Sequence, residues 1–190
     1  MGEWEKKREV MERYDLTAYM YEMRYAEEQE AKFEAALKSL KAKKCGKILD
    51  AGCGTGLLFR HVAPKAEMVV GLEISRVTLL KAKERARSFR NVHLIIADAD
   101  FMPFKDGIFN IVFAFTLIQN MPEPAKTLKE IRRVAGNEAQ IVVTGLKKIF
   151  SLQTFENLLR NACLEIVSFE GEGLRCYVAV CLKFSSGGVT

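Results

Sequence analysis

Short apolar runs alternate with longer amphipathic stretches from residue 46 onward, and this alternation restricts the fold more than any other feature of the chain. The first five runs are rich in Ile, Val, Leu and Phe and span residues 47–50, 68–72, 92–96, 109–115 and 140–144. Continuous apolar runs of this length are typical of strands that are covered on both faces. The alternation therefore predicts an α/β fold in which helices flank both sides of a mostly parallel sheet.

Two of the amphipathic stretches carry signals for the start of a helix. Ser75 can cap a helix that continues to about Arg87, with basic residues near its end, where the helix dipole favours positive charge. Ser151 can cap another helix, because Phe150 and Phe155 occupy the two positions of a hydrophobic staple. The sequence thus predicts helices that begin at these two serines.

The two ends of the chain add further elements. Residues 22–43 space their apolar side chains as one face of a helix does, which predicts a helix that covers the sheet. Apolar runs at 164–169 and 176–184 are joined through a short segment that contains glycine. Such a close pair of runs predicts an antiparallel hairpin at one edge of the sheet.

Length and composition predict an ordinary globular protein. With 190 residues, 49% of them hydrophobic and 28% charged, the chain suits one domain: an N-terminal helical segment (1–44), a core (45–184) and a flexible tail (185–190). No apolar run approaches the roughly 18 residues that span a bilayer, so we expect a cytoplasmic protein without a membrane segment. The five cysteines form no Cys-x-x-Cys pair and only two histidines occur, which favours reduced thiols and disfavours a metal site.

The first apolar run ends in a glycine-rich turn, Asp50-Ala51-Gly52-Cys53-Gly54-Thr55-Gly56. Glycines allow backbone to approach a ligand closely. Taken alone, the turn is a weak signal, because a structural turn or a dinucleotide site would also use glycines. The dinucleotide pattern is Gly-x-Gly-x-x-Gly, and the third glycine here comes one residue early, which disfavours a pyrophosphate ligand.

Acidic residues follow the next two apolar runs. Glu73, about 20 residues beyond the first glycine of the turn, is placed to accept hydrogen bonds from both hydroxyls of a ribose, although alone it could be a solvated carboxylate. Asp98 could accept a hydrogen bond from the amino group of an adenine. Ligands of open α/β sheets bind outside the carboxyl ends of the strands. The three strand ends together therefore predict a nucleoside site.

The motifs at these strand ends resemble those of the class I S-adenosylmethionine-dependent methyltransferases. The resemblance covers residues 45 to 184 and rests on the set Ile48 to Gly56, Val70 to Ser75, Ala97 to Ala99 and Met102 to Asn110. It implies a Rossmann-like three-layer sandwich with strand order 3-2-1-4-5-7-6, an antiparallel last strand and an N-terminal helical lid. It also implies S-adenosylmethionine as cofactor and S-adenosylhomocysteine as product.

The same resemblance implies roles for individual residues. The methionine part of the cofactor would lie against the glycine-rich turn, at Asp50, Ala51, Gly52, Cys53, Gly54 and Gly56. Glu73 would hold the ribose, Asp98 and Ala99 would bind the adenine, and Ile74 would line the adenine pocket. Phe115, at the end of the fourth run, could contact the sulfonium by a cation–π interaction, with core packing as the alternative.

The N-terminal segment contains a tyrosine-rich stretch. It resembles the Tyr-Asp-x-x-Ala-x-x-Tyr lid that precedes the first strand in relatives of the family. By that resemblance, Tyr14 and Tyr25 would close over the cofactor, and Arg24 could pair with its carboxylate. The alternative is an amphipathic helix that packs on the sheet with tyrosines at its edge.

The sequence does not indicate a catalytic base, and it does not identify the methyl acceptor. His61, His93 and Asp106 are best interpreted as structural residues. No Asn-Pro-Pro-Tyr-like tetrapeptide follows the fourth run, which disfavours methylation of a base amine or a glutamine amide. Little chain remains outside the core, which favours a small-molecule acceptor. An RNA- or protein-modifying enzyme that uses a partner subunit, and a non-catalytic scaffold that binds the cofactor, are the alternatives.

Overall fold

The computed structural model describes residues 2–41 and 45–183, with the side chains of residues 14, 16–26 and 45 left out of the description. Five α-helices and seven strands occur in the described part of the chain. They are α1 (Glu3–Ser39), β1 (Cys45–Ala51), α2 (Phe59–Val62), β2 (Ala66–Glu73), α3 (Arg76–Ala86), β3 (Val92–Ile96), β4 (Phe109–Ala114), α4 (Pro124–Val134), β5 (Ala135–Leu146), α5 (Leu152–Asn161), β6 (Leu164–Glu170) and β7 (Cys176–Lys183).

The seven strands form one sheet in the order β3-β2-β1-β4-β5-β7-β6. Strands β1 to β5 pair in parallel, whereas β7 lies antiparallel to both β5 and β6. This confirms the predicted strand order and the predicted antiparallel hairpin. Because the order reverses direction between β1 and β4, the carboxyl ends of β1, β2 and β4 border a crevice of the kind in which α/β proteins bind ligands.

A hydrophobic core lies on each face of the sheet. Leu49 belongs to the core beneath α4 and α5, and its neighbour Ile48 belongs to the core beneath α1, α2 and α3. Neither side chain is accessible to solvent. Successive residues of a strand point to opposite faces, so a strand covered on both faces needs an apolar residue at every position. This explains the continuous apolar runs and confirms the three-layer arrangement.

The two predicted helix starts are confirmed. The Ser75 hydroxyl accepts a hydrogen bond from the backbone N–H of Thr78 at 3.0 Å, and α3 follows it. The Ser151 hydroxyl accepts from the N–H of Thr154 at 3.1 Å at the start of α5. The rings of Phe150 and Phe155 pack with their centroids 6.2 Å apart, as expected of a hydrophobic staple.

The first helix is longer than its apolar pattern indicates. The pattern predicts a helix over 22–43, whereas α1 begins at Glu3 and ends at Ser39. Phe33 and Ala36 supply its apolar contact with the sheet. Nearer the start of the helix, the buried inward residue is Lys7, so apolar periodicity gives no signal there.

Candidate functional site

A cavity of about 160 Å³ opens at the carboxyl ends of β1, β2, β3 and β4, with α1 lying across it. Its lining brings together most of the site residues predicted from the sequence: Asp50, Gly52, Cys53, Gly54, Glu73, Ile74, Asp98, Ala99 and Phe115. Ala51 and Gly56 do not line the cavity. Ala51 is buried in the sheet, and Gly56 lies directly against Phe59. The side chains of Tyr14, Arg24 and Tyr25 lie outside the described residues.

The glycine-rich turn is tied to the neighbouring strand. The backbone N–H groups of Gly52 and Cys53 both donate to the carbonyl of Leu72, at 2.8 and 3.0 Å. Gly52 and Gly54 have φ angles of 72° and 54°, in the left-handed region that favours glycine. A Cβ atom at Gly54 would have no atom within 4 Å. The turn therefore presents bare backbone to the cavity.

Glu73 and Asp50 place two carboxyl groups beside this turn. The Glu73 carboxylate accepts from the N–H groups of Gly54 at 3.1 Å and Ser75 at 2.9 Å. Burial raises the pKa of Glu73, against the opposing effect of these hydrogen bonds. Burial and the nearby charge of Glu73 raise the pKa of Asp50 to about 7. Such a pair favours a cationic or hydrogen-bond-donating ligand.

Asp98 lies where the sequence predicts it, but its carboxylate is already paired. The ammonium of Lys7 lies 2.8 and 2.6 Å from the two Asp98 oxygens and 2.5 Å from an oxygen of Asp100. Burial disfavours the charge on Lys7, but the hydrogen bonds to Asp100 and Asp98 outweigh it and raise the Lys7 pKa. The other Asp100 oxygen accepts from the Thr127 hydroxyl at 2.5 Å. Sequence reasoning missed both Lys7 and Asp100.

Aromatic and aliphatic side chains form part of the cavity lining. Phe115 packs edge-on against Phe33 with ring centroids 4.8 Å apart, and it stacks on Phe113 at 5.6 Å. Leu117 and Met121 belong to the same lining. Phe115 thus packs in the core, which is one of the two roles expected from the sequence, and it also lines the cavity. Burial raises the pKa of the Cys53 thiol well above its usual value, which keeps this lining group protonated.

His61, His93 and Asp106 do not line the cavity. His61 contacts Glu30, with 2.9 Å between Nε2 and Oε2, and His93 projects from the exposed side of β3. Asp106 lies in the turn before β4 and pairs with Arg133 at 2.6 Å. Among residues 2–41 and 45–183, no three potential ligand side chains converge to hold a metal ion. No helix in the same part of the chain is long and apolar enough to cross a membrane.

Two curated relatives share about a third of their aligned residues with this chain. A malonyl-(acyl-carrier protein) O-methyltransferase from Marinomonas sp. (strain MWYL1) is 31% identical over 75% of this chain and 53% of its own length. A demethylmenaquinone methyltransferase from Staphylococcus carnosus (strain TM300) is 35% identical over 52% of this chain and 42% of its own length. The chain thus spans about half the length of these relatives.

A solved structure shares the fold, and a family model matches most of the chain. The structure of a SAM-dependent methyltransferase from Aquifex aeolicus superposes with a TM-score of 0.71 and 19% identity, covering 79% of this chain and 88% of that one. The model for a methyltransferase domain matches residues 42–171, which include every strand that borders the cavity. The protein therefore belongs to the methyltransferase-domain family, and it shares the fold of a SAM-dependent methyltransferase.

Proposed function

We propose that the cavity binds S-adenosylmethionine and that the protein transfers its methyl group to a small-molecule acceptor. One observation carries the proposal: the bare glycine turn, the Glu73 carboxylate and the Asp98 carboxylate, from three neighbouring strand ends, line one cavity. Ligand sites of open α/β sheets lie at this position. When bound, the cofactor supplies a methyl group on a positively charged sulfur.

The described residues fit the cofactor chemically. Each oxygen of Glu73 accepts one backbone hydrogen bond, which leaves each oxygen able to accept another from a ribose hydroxyl. Gly52 and Gly54 would lie against the methionine part, where a side chain would take up space. Asp50 is buried beside Glu73, and together they would balance the positive charge of the ligand. Asp98 and Ala99 would hold the adenine, with Ile74 beside it.

The chain's own contribution to the transfer is alignment and exclusion of water. Displacement from a sulfonium has a good leaving group, so the acceptor chiefly needs to be held close to the methyl carbon and in line with it. Phe33, Phe115 and Leu117 line the cavity with apolar side chains, which would exclude water from it. A cavity beneath a helix admits a compact acceptor. The named substrate of one relative, demethylmenaquinone, is a small molecule, whereas the malonyl group that the other relative methylates is carried on a protein.

Replacing Glu73 or Asp98 with alanine is expected to weaken binding of S-adenosylhomocysteine by roughly 1 to 3 kcal/mol, because each change leaves polar ligand atoms without a partner. Isothermal titration calorimetry measures the affinity. Glu67→Ala is the matched control, since Glu67 is an exposed carboxylate at the opposite end of β2. Unchanged affinity in both site variants would remove the assignment of the cavity.

The position of Lys7 leads to a second expectation. The Lys7 ammonium lies in the cavity lining and contacts both oxygens of Asp98, so it competes with the adenine amino group for the same side of this carboxylate. Lys7→Met is therefore expected to bind S-adenosylhomocysteine severalfold more tightly, whereas Lys6→Met, at an exposed neighbouring position, should match the unsubstituted protein. Calorimetry compares the affinities, and thermal unfolding checks the loss of the Asp100 ion pair. Equal or weaker binding by Lys7→Met would show that Lys7 does not compete.

A further inference from the structure

A second pocket lies at the end of the sheet opposite the cavity described above. It is formed by the last turns of α4, the amino ends of β4 and β5, and the last residue of β7, which runs antiparallel to β5. Its lining contains four cationic residues and one acidic residue: Lys129, Arg132, Arg133, Lys183 and Asp106. Since the pocket and the cavity share no lining residue, they are separate sites.

One of the four cations, Arg133, has a structural role. It donates to Asp106 at 2.6 Å and to the two oxygens of Glu130 at 2.8 and 2.6 Å. It also donates to the backbone carbonyls of Phe104 at 2.7 Å and Met102 at 2.9 Å. Arg133 therefore uses all of its N–H donors to join α4 to the segment before β4. The only carboxylate in the pocket lining is paired in the same way.

The other three cations of the pocket lack such partners. Within the described part of the chain, Lys129, Arg132 and Lys183 form no ion pair with a carboxylate. Nε of Arg132 is buried and has no hydrogen-bond partner in the same part of the chain. Burial and the charge of Arg132 lower the pKa of Lys183, against the opposing effect of Asp106. The pocket therefore holds like charges that repel one another.

The dipole of α4 explains only part of this cluster. Positive charge is favoured near the carboxyl end of a helix, and Arg132 and Arg133 lie in the last turn of α4. Lys129 lies more than one turn before that end, and Lys183 belongs to β7. The dipole therefore does not explain why cations from two elements line the same pocket.

A phosphate group matches the chemistry of this pocket. An arginine can bind phosphate through two parallel charge-assisted hydrogen bonds, and a lysine binds it as a point charge. Phosphate is tetrahedral, so cations from α4 and β7 can each contact a different oxygen, whereas a planar carboxylate has only two oxygens. Lys129 and Asn137, at the rim of the pocket, are exposed to solvent. A phosphate attached to a larger molecule could therefore also enter.

We propose that this pocket binds a phosphate dianion, either free or at the end of a phosphate monoester, through Arg132, Lys129 and Lys183. The site is additional to the proposed methyl transfer and does not depend on it. A bound anion would also offset the repulsion among the three cations, so it should stabilise the folded protein.

Isothermal titration calorimetry tests the proposal on the full chain, with inorganic phosphate and phenyl phosphate as probes. Both are added at about pH 8, where phosphate carries two charges, and sodium chloride keeps the ionic strength constant. Arg132→Gln and Lys183→Gln should each weaken binding by at least about fivefold, because each removes a charged donor. Arg160→Gln is the matched control, since Arg160 is an exposed arginine on α5 that lies 3.7 Å from Glu156.

Urea-induced unfolding separates a binding role of Arg132 from a structural one. Without phosphate, Arg132→Gln should raise the urea midpoint, because it removes a repelling charge, whereas loss of a structural arginine would lower it. Phosphate stabilises many proteins by exclusion from their surface. The comparison is therefore between two variants: phosphate should raise the midpoint of Arg160→Gln more than that of Arg132→Gln.

The two probes also distinguish the source of the phosphate. Binding of both would show that the site accepts the end of a larger molecule, and binding of inorganic phosphate alone would restrict it to the free ion. If neither probe binds at millimolar concentrations, or if Arg132→Gln and Lys183→Gln bind as the unsubstituted protein does, the site is wrong. Saturation with S-adenosylhomocysteine should leave phosphate binding unchanged. Competition between the two would place the phosphate in the cavity and overturn the proposal.

Discussion

Replacing Gly56 with alanine is expected to lower the free energy of unfolding by about 2 to 5 kcal/mol, the largest change we foresee for one methyl group in this chain. Gly56 has a φ angle of 80°, a region that alanine rarely adopts. A Cβ atom there would also lie 2.7 Å from Cδ2 of Phe59. Phe59 has no exposed surface, so its ring cannot move aside without disturbing the core. Urea-induced unfolding measures the change.

Gly54→Ala is the matched control for this prediction. Gly54 has a similar left-handed φ angle of 54°, but a Cβ atom there has no atom within 4 Å. Only the backbone cost of about 1 to 2 kcal/mol remains. Because Gly54 lines the cavity and Gly56 does not, Gly54→Ala should have the larger effect on binding of S-adenosylhomocysteine. Equal destabilisation by the two substitutions would contradict the role assigned to Phe59.

These two glycines also show which features of the site can be predicted from the sequence and which cannot. The turn can be recognised in the sequence because three glycines follow a buried strand. The sequence of the turn does not show which glycine lines the cavity and which packs against the Phe59 ring. That distinction depends on Phe59, which α2 brings against the turn. The strands themselves were predictable for a local reason. Burial on both faces forces a continuous apolar run, and Ile48 and Leu49 show this directly.

Lys7 could not have been found in this way. A lysine in a charged helix is ordinarily solvated, and only the tertiary structure brings Lys7 to Asp98 and Asp100, more than 90 residues away in the chain. Contacts between distant segments decide the position of Lys7, and a local pattern does not record such contacts.

The stability of the protein without cofactor is expected to fall between pH 6 and pH 8, by roughly 1.4 kcal/mol from Asp50 alone. The pKa of Asp50 is raised from its ordinary value of 3.8 to about 7 by burial and by Glu73. The folded protein therefore binds this proton more tightly than the unfolded chain does, and raising the pH through 7 removes that advantage. Burial also raises the pKa of Glu73, which acts in the same direction. Urea titrations at the two pH values measure the change.

Binding of the positively charged cofactor should respond to pH in the opposite sense. A cation beside Asp50 favours the ionised carboxylate, so the affinity for S-adenosylmethionine should rise by up to about tenfold between pH 6 and pH 8, with proton release on binding. Asp50→Asn keeps the size of the side chain and removes its titration, so it should flatten both the stability profile and the affinity profile. If the substituted protein keeps the full pH dependence of both, the proton belongs to another group, and Asp50 does not balance the charge of the ligand.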